Sequence, residues 1–377
     1  MSGIASPWFE RQEYEQRLDR VQRSLTERNL DGLIAFQPET VTWLTGFFTR
    51  GYGSFQCAIV PTNGTPSIVC RDVEDYYHGA TCVFPDAVFW SDGDDPVETA
   101  ARAIARQFGQ STRLGIELSA WPLSAGRYDG LRNHLPNVVW KDESRLAATL
   151  RLVKSETEIA YQRRAGIAAE AGMQAAIDSA GVGVSEREIA AEICAAMIRA
   201  GSDLPGPGVL SSGERSFHLH GGYSDRVLRS GDLVQVETTP NVRHYHARFM
   251  RPIRVGAASS EDCRIVETLI SIQNSALGEV RPGGAAAVPD AVYRDGVLSA
   301  GLRDTYTNKT FYSVGLLLHP SGGEPLEATR RSEWTFEIGM TFHTYVLARG
   351  FGMSETIAVT RDGCERLTNF PRRLFVV

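Results

Sequence analysis

The feature that most constrains the fold is a series of short strand-like segments in the C-terminal half of the chain. Residues 231–237 alternate between apolar and polar types, which predicts a half-buried strand that ends at Glu237. After a turn, residues 244–251 form a second predicted strand. Its alternate residues are His244, His246, Arg248 and Met250. If all of them face one side, this hairpin sets Glu237 near His246 and Arg248.

Further predicted strands follow in the same half of the chain. Residues 311–319 carry Tyr312 and His319 around a glycine, and residues 339–345 pair with residues 354–360. Carboxylate, imidazole, phenol and guanidinium groups are therefore concentrated in one half of the chain. This concentration indicates a chemical site there rather than in the N-terminal half.

The length and the periodicity predict two domains. At 377 residues the chain is long enough for two domains and a large buried core. An amphipathic helix over residues 14–29 precedes an apolar strand at residues 32–36, and short strands then alternate with helical stretches. The strands are predicted at 55–60, 67–69, 114–118 and 138–140, and the helices at 97–108 and 125–134. We expect an α/β domain over residues 1–150 and a second domain over residues 151–377.

Helix-capping patterns mark the start of the second domain. Ser155 with Glu158, and Ser185 with Glu188, have the spacing of capping boxes. A further helix is predicted over residues 261–279, before a Pro-Gly pair.

Composition excludes several classes of partner. The chain has 39 basic and 45 acidic residues and a formal charge of −6, which gives no electrostatic reason to bind nucleic acid or an anionic membrane. The longest apolar runs are far shorter than the roughly 20 residues that span a bilayer. The six cysteines contain no Cys-x-x-Cys pair, and residues 1–11 lack the apolar core of a secretory signal. We therefore expect a reduced, cytoplasmic protein whose partner is a small molecule.

The order of these segments resembles the pita-bread fold family, which includes methionine aminopeptidase, prolidase, aminopeptidase P and creatinase. The resemblance implies a creatinase-like N-terminal domain and a C-terminal α+β pita-bread catalytic domain. In the metallopeptidases of that family, two divalent metals are held at the positions that are here Glu237, Arg248, Tyr312, Tyr345 and Ser354. A guanidinium carries a permanent positive charge, and phenols stay protonated near neutral pH. We therefore expect a site without a metal and without another cofactor.

Two metal-independent branches of the family, creatinase and ectoine hydrolase, resemble the chain more closely, and ectoine hydrolase is the nearer. Residues 339–343 and 354–360, continuing through 369–376, look like the C-terminus of an ectoine hydrolase. The residues that match that enzyme in type are Glu237, Tyr245, His246, Tyr312 and Glu355. His220 matches the position of the creatinase catalytic histidine, whereas Met250 replaces a glutamate that binds the creatinase substrate. Creatine is therefore not the expected substrate.

Hydrolysis of a carbon–nitrogen bond without a metal needs a nucleophile or base, an acid for the leaving nitrogen and donors for the developing charge, and we expect the following roles. Glu237 attacks, or activates water at, an amidine or amide carbon, and His246 or His220 carries the proton to nitrogen. Tyr312 donates a hydrogen bond as charge builds, and Glu355 orients a histidine or binds a cationic amidinium. Arg248 either neutralises Glu237 or holds a substrate carboxylate. The other residues expected to bind substrate are Tyr345, His343, His319 and Tyr52.

Several alternatives stay open from the sequence alone. A prolidase-type metallopeptidase needs the ligands that have been replaced, and a non-catalytic binding protein would have no reason to keep acid and base residues together. Tyr345 could simply fill the volume of a missing metal pair. The family resemblance also implies a homodimer, in which the segment around Tyr52 reaches the neighbour's site.

Overall fold

The computed structural model describes residues 6–109, 111–206, 208–318 and 323–377. The chain divides into two compact units, Met1–Arg151 and Leu152–Val377. Each unit has its own hydrophobic core.

The N-terminal unit is built around one mixed sheet flanked by helices. Its helices are α1 Arg11–Glu27, α2 Pro38–Thr45, α3 Asp75–Thr81, α4 Pro96–Phe108, α5 Ala125–His134 and α6 Leu146–Leu150. Its strands are β1 Gly32–Ala35, β2 Cys57–Pro61, β3 Ser67–Arg71, β4 Ala87–Trp90, β5 Arg113–Ile116 and β6 Val139–Asp142. They lie in the order β4-β3-β2-β1-β5-β6, with β1 parallel to β5 and antiparallel to β2. Alternating strands and helices on a largely parallel sheet confirm the predicted α/β character of this half.

The C-terminal unit contains two larger sheets. Its helices are α7 Glu156–Ser179, α8 Glu186–Arg199, α9 Ser260–Gly278 and α10 Ala287–Ser299. Its strands are β7 Leu210–Ser212, β8 Leu233–Thr238, β9 Asn241–Val242, β10 Tyr245–His246, β11 Phe249–Arg254, β12 Phe311–Ser313, β13 Glu327–Ala328, β14 Thr341–Ala348, β15 Phe351–Thr360, β16 Gly363–Arg366 and β17 Phe375–Val376. One sheet has the order β17-β11-β8-β7, the other has the order β13-β12-β14-β15-β16, and β9 pairs with β10.

A pair of helices packs on one face of each sheet. Apolar residues of α7 and α8 share a core with β8 and β11, and those of α9 and α10 share a core with β14 and β15. Both predicted capping boxes are present, because the Ser155 and Ser185 side chains accept hydrogen bonds from the backbone of Glu158 and Glu188, whose carboxylates bond back to the two serine backbones. Strand β11 contacts β15, so the faces of the two sheets that the helices leave uncovered meet in the middle of the unit.

Two sequence predictions about the hairpin were wrong. The strand ending near Glu237 is buried along its whole length rather than half-buried, because helices cover one of its faces and the second sheet lies against the other. The predicted continuous strand over residues 244–251 is broken into β10 and β11. Arg243 and His244 both adopt left-handed backbone conformations, with φ of 52° and 59°, and such residues end a regular strand.

Two further findings concern the helices and the cysteines. In the part of the chain that the structure describes, no helix combines the length and the apolar character needed to cross a membrane. All six cysteines are free thiols.

Candidate active site

Glu237 lies near the end of β8, on the face that meets the second sheet. In the antiparallel register it lies opposite Met250 of β11. Its side chain is almost completely buried. Burial raises the pKa of the Glu237 carboxyl, and the guanidinium of Arg248, a backbone hydrogen bond from Val209 and the imidazole of His220 all oppose that rise. Glu237 is therefore a buried carboxyl whose ionisation depends mainly on Arg248.

A chain of polar contacts connects Arg248 to Glu237 through two residues of the other sheet. Arg248 Nη1 donates to the Tyr312 hydroxyl at 2.9 Å, and that hydroxyl lies 2.7 Å from His343 Nδ1. His343 Nε2 lies 3.7 Å from Glu237 Oε1. Tyr312 and His343 face each other because they are directly paired across β12 and β14. We call Glu237, Arg248, Tyr312 and His343 the catalytic cluster.

These contacts select one tautomer of His343. The guanidinium can only donate, so the Tyr312 hydroxyl accepts from Arg248 and has its own proton to give to His343 Nδ1. The neutral imidazole then carries its proton on Nε2, directed toward the Glu237 carboxylate. The opposite tautomer would set an unprotonated nitrogen against a carboxylate oxygen. Burial and the charge of Arg248 lower the pKa of His343 well below its ordinary value, which keeps the ring neutral.

The contact between His343 and Glu237 differs from the others in the cluster. A separation of 3.7 Å is too long for a hydrogen bond, and neither Glu237 Oε1 nor His343 Nε2 has another hydrogen-bond partner among the described residues. In the same part of the chain, Gln235 Oε1 and Ser354 Oγ are also buried without a partner, and they lie on the same faces of their strands. Buried polar atoms without partners are uncommon in folded proteins. A small polar molecule that accepts a hydrogen bond from His343 Nε2 and donates one to Glu237 Oε1 would give both atoms a partner.

Tyr345 forms one wall of this space. Its ring stacks on His343 with centroids 5.4 Å apart and meets Tyr312 edge to face at 5.9 Å. Its hydroxyl accepts a hydrogen bond from Asn308 Nδ2 at 3.4 Å, and burial raises its pKa. The neighbour across the strand pair is Ser354. Tyr345 therefore shapes the site and stays uncharged.

The structure shows which of the candidate histidines lies beside Glu237. His220 is exposed and has a left-handed backbone with φ of 66°, yet it is one of the groups that oppose the rise in the pKa of Glu237. His246 Nε2 lies 3.1 Å from the carbonyl oxygen of Leu317, and burial lowers its pKa to about 3. His343, expected only to bind substrate, is the histidine that forms the contact with Glu237. His246 is held instead by the β9–β10 hairpin and the segment beside β12.

Glu355 does not join the catalytic cluster, contrary to the sequence prediction. Ser354 pairs with Tyr345, and the next residue along a strand points to the opposite face of the sheet. There Glu355 forms a fully buried ion pair with Arg251 at 2.7 Å and accepts a hydrogen bond from Thr368. Glu355 joins the two sheets structurally and cannot orient His343 or contact a substrate beside Glu237.

Two other predicted substrate-binding residues lie elsewhere. His319 is outside the described residues. Tyr52 belongs to the N-terminal unit, where its ring contacts Trp121 and Phe48, and its reach into a neighbouring site stays a prediction.

The side chains of the cluster do not fit a divalent metal. Divalent metals at sites of this kind are bound by carboxylate and imidazole groups. Here a guanidinium is hydrogen-bonded inside the cluster, and the phenols of Tyr312 and Tyr345 both have raised pKa values because they are buried. Among the residues that the structure describes, no group of three or more His, Cys, Asp or Glu side chains is arranged to hold a metal ion.

Sequence reasoning missed the contact between His343 and Glu237 and the support for the loop that carries His220. The alternation of side chains along a strand could have indicated the contact of His343 with Glu237, because His343 and Tyr345 are two residues apart and share a face. The support for the loop that carries His220 cannot be read from neighbouring residues in the sequence. The buried carboxylate of Glu186 accepts hydrogen bonds from the backbone and hydroxyl groups of both Ser212 and Ser224 and from Arg215, and so fixes both ends of the loop.

The fold and the catalytic cluster define a hydrolase scaffold of the pita-bread class. Residues 160–361 match the model of metallopeptidase family M24, and residues 17–153 match the creatinase/prolidase N-terminal domain. The chain belongs to family M24. These matches confirm the predicted fold class, an α/β N-terminal domain followed by a pita-bread domain.

Similar proteins cover almost the whole chain. Ectoine hydrolase of Halomonas elongata is 28% identical over 398 residues, covering 98% of both chains. An uncharacterized hydrolase/peptidase of Sinorhizobium fredii is 27% identical over 387 residues, again with 98% of both chains covered. The crystal structure of dipeptidase PepE from Mycobacterium ulcerans superposes with a TM-score of 0.84 at 25% identity, covering 98% of this chain and 99% of that one. The relatives therefore include an ectoine hydrolase and a dipeptidase at similar identity.

Proposed function

We propose that the protein hydrolyses a carbon–nitrogen bond in a small cyclic amidine or amide without a metal, as an ectoine hydrolase-like enzyme. The observation that carries this proposal is the space between Glu237 Oε1 and His343 Nε2. These atoms are 3.7 Å apart and have no other hydrogen-bond partner within the residues that the structure describes. It sets a carboxylate base and a neutral N–H donor on either side of one small space. Such a pair can act on water and on a substrate nitrogen or oxygen together.

In the proposed reaction the Glu237 carboxylate takes a proton from water as the water oxygen bonds to the amidinium carbon. The resulting tetrahedral intermediate collapses when the bond from that carbon to one ring nitrogen breaks. That nitrogen receives the proton from Glu237, and as the bond to carbon breaks the hydroxyl proton of the intermediate passes through the Glu237 carboxylate to the same nitrogen. The nitrogen leaves as an ammonium group, and the carbon keeps the new oxygen as an amide carbonyl. Atoms and charge balance, and Glu237 returns to its starting state.

Arg248 and Tyr312 keep Glu237 ionised and hold His343 in the required tautomer. Arg248 holds Glu237 ionised against the effect of burial, since its charge is the main influence that lowers the Glu237 pKa. Tyr312 accepts a hydrogen bond from the Arg248 guanidinium and donates one to His343 Nδ1, so that His343 Nε2–H faces the reacting atoms. A cyclic amidine enters already protonated, so its carbon is electrophilic without a Lewis acid.

Dipeptide hydrolysis is the second candidate. The structural match to dipeptidase PepE supports it. The chemistry of the cluster argues against it. A neutral peptide carbonyl must be activated before water attacks it, and two neutral phenols activate it poorly. The Arg248 guanidinium already donates to Tyr312 and balances the charge of Glu237.

The proposal is tested by incubating the purified protein with ectoine and following the ring-opened product by mass spectrometry. Glu237→Gln keeps the shape of the side chain but cannot take a proton, so we expect activity to fall by at least the roughly 100-fold typical of a missing general base. The matched control is Glu333→Gln, which makes the same change at an exposed glutamate outside the cluster. Equal activity in Glu237→Gln and wild type would refute the mechanism.

A further inference from the structure

A cavity of about 300 Å³ lies in the C-terminal unit, behind the Tyr345 wall of the catalytic cluster. Asn308, which lines the cavity, donates its side-chain N–H to the Tyr345 hydroxyl at 3.4 Å. Among the described residues that line it, none belongs to the catalytic cluster. The Tyr345 ring stacks on His343 and separates the two spaces. Pockets for small molecules begin at about this size, so the cavity can hold a second molecule that is not the substrate.

The polar side of the cavity is positively charged. The guanidiniums of Arg303 and Arg349 line it, and its described lining contains no carboxylate. Arg303 Nη1 donates to Asn308 Oδ1 at 3.0 Å, and its guanidinium lies over the Tyr306 ring. Arg349 donates to the Gly301 carbonyl at 3.1 Å. Both guanidiniums are therefore held in place by neutral groups.

Neither Arg303 nor Arg349 forms an ion pair within the part of the chain that the structure describes. By contrast, Arg251 of the same unit is paired with Glu355 at 2.7 Å. A planar guanidinium that is already oriented is the preferred protein partner of a carboxylate. The two arginines therefore leave room for an anion supplied by another molecule.

The opposite side of the cavity is apolar. It is lined by Phe217, Leu219, Leu347 and Ala348. Phe217 has 56% of its surface exposed, so a ligand in the cavity can cover it. An inorganic anion would leave this apolar surface in contact with water, whereas a hydrocarbon body would bury it. The lining therefore favours a molecule that has both a carboxylate and an apolar part.

We propose that this cavity binds a small carboxylate with an apolar body, as a second ligand distinct from the substrate. The carboxylate accepts hydrogen bonds from Arg303, with Arg349 adding charge from the exposed side, and the apolar body packs on Phe217 and Leu219. The bound molecule contacts two supports of the catalytic cluster, because Leu219 packs against the Tyr345 and Tyr312 rings and Asn308 donates to Tyr345. This inference goes beyond the proposed function and does not depend on it.

The test is binding of benzoate and of its uncharged isostere benzamide, followed by saturation-transfer NMR at constant ionic strength. Benzoate should bind the wild type more tightly than benzamide. Arg303→Met should raise Kd for benzoate by roughly 10- to 100-fold, as expected for a lost charge-assisted hydrogen bond, and should leave the weaker binding of benzamide unchanged. Equal benzoate binding in both proteins, or equal binding of benzoate and benzamide to the wild type, would overturn the proposal.

The apolar part of the site is tested with Phe217→Ser. This variant should weaken benzoate binding and leave the binding of acetate, which has almost no apolar body, unchanged. An equal effect on benzoate and acetate would contradict packing on Phe217. Inorganic phosphate that binds the wild type as tightly as benzoate would overturn the assignment to an apolar carboxylate.

Further variants exclude indirect effects of Arg303→Met, which also removes the hydrogen bond to Asn308. Arg349→Met should weaken benzoate binding as well, and Arg303→Lys should retain part of it. Arg361→Met removes an exposed arginine outside the cavity lining and should leave Kd unchanged. Circular dichroism melting of each variant checks that the fold is intact.

A last variant locates the anion. Arg248→Met removes the guanidinium of the catalytic cluster and should leave benzoate binding unchanged. Benzoate binding that is lost in Arg248→Met but kept in Arg303→Met would place the anion in the catalytic cluster and refute the second site. Because none of these measurements needs turnover, their outcome does not depend on whether ectoine is hydrolysed.

Discussion

Replacing Arg248 by Met should shift the acid limb of activity toward higher pH. In the folded protein burial raises the pKa of Glu237, and the Arg248 guanidinium is the first influence that lowers it again. An opposite charge a few ångströms away lowers a carboxyl pKa by roughly 1 to 3 pH units. Arg248→Met therefore moves the pH at which Glu237 ionises upward by about that amount.

The direction of the effect follows from proton linkage. Activity requires the Glu237 carboxylate, so it is lost as pH falls through the folded pKa, and Arg248→Met brings this loss to a higher pH. At a fixed pH below the new limb, kcat/KM should fall by roughly 10- to 1000-fold, one factor of ten for each pH unit. His343 adds no limb near neutral pH, because its lowered pKa keeps it neutral.

The stability of the protein should depend on pH in the opposite direction to its activity. A carboxyl whose pKa is raised on folding contributes stability that is complete below its unfolded pKa and is lost as pH rises through the folded pKa. Arg248→Met raises the folded pKa of Glu237 further and should deepen this loss. Melting temperatures measured across the same pH range check it.

The assay is the pH profile of kcat/KM for ectoine hydrolysis, measured by mass spectrometry. Arg248→Lys keeps the charge and should leave the acid limb near its wild-type position, although it loses the geometry of the contact to Tyr312. An acid limb in Arg248→Met that coincides with that of wild type would refute the reasoning, because Arg248 would then not control the ionisation of Glu237.

Three further predictions concern single residues. His343→Gln should lower kcat by roughly 100-fold or more while leaving the melting temperature almost unchanged, and a kcat within threefold of wild type would exclude His343 as the hydrogen-bond donor to the reacting atoms. Glu355→Gln should destabilise the protein by roughly 3 to 5 kcal/mol in urea unfolding, because Arg251 is left as a buried unpaired charge, with kcat of the folded fraction preserved. Glu186→Ala should release the loop that carries His220, so we expect faster proteolysis between Ser212 and Ser224, and unchanged cleavage there would contradict this role.

The sequence predicted the architecture because its signals are local and repeated. The capping boxes at Ser155 and Ser185 and the alternation before Glu237 depend on neighbouring residues, and each corresponds to an observed element. The sequence also identified Glu237, Arg248 and Tyr312 as members of one site, and these three do come together.

The choice among histidines could not be made from the sequence. It depends on the break in the strand at Arg243 and His244, which turns His246 toward the Leu317 carbonyl, and on the pairing of His343 with Tyr312 across two strands. Such pairings join residues that are far apart in the chain. The error on Glu355 was avoidable, because Ser354 already occupies the face that points to the site and its neighbour must point away.

The most direct test of metal-free hydrolysis is to incubate the metal-analysed, chelator-treated protein separately with ectoine and with an Xaa-Pro dipeptide. We predict a hydrated ectoine product at an undiminished rate, no dipeptide cleavage and no stoichiometric divalent metal. Loss of activity in the chelator with recovery on adding a divalent metal, or cleavage of the dipeptide in place of ectoine, would contradict the account.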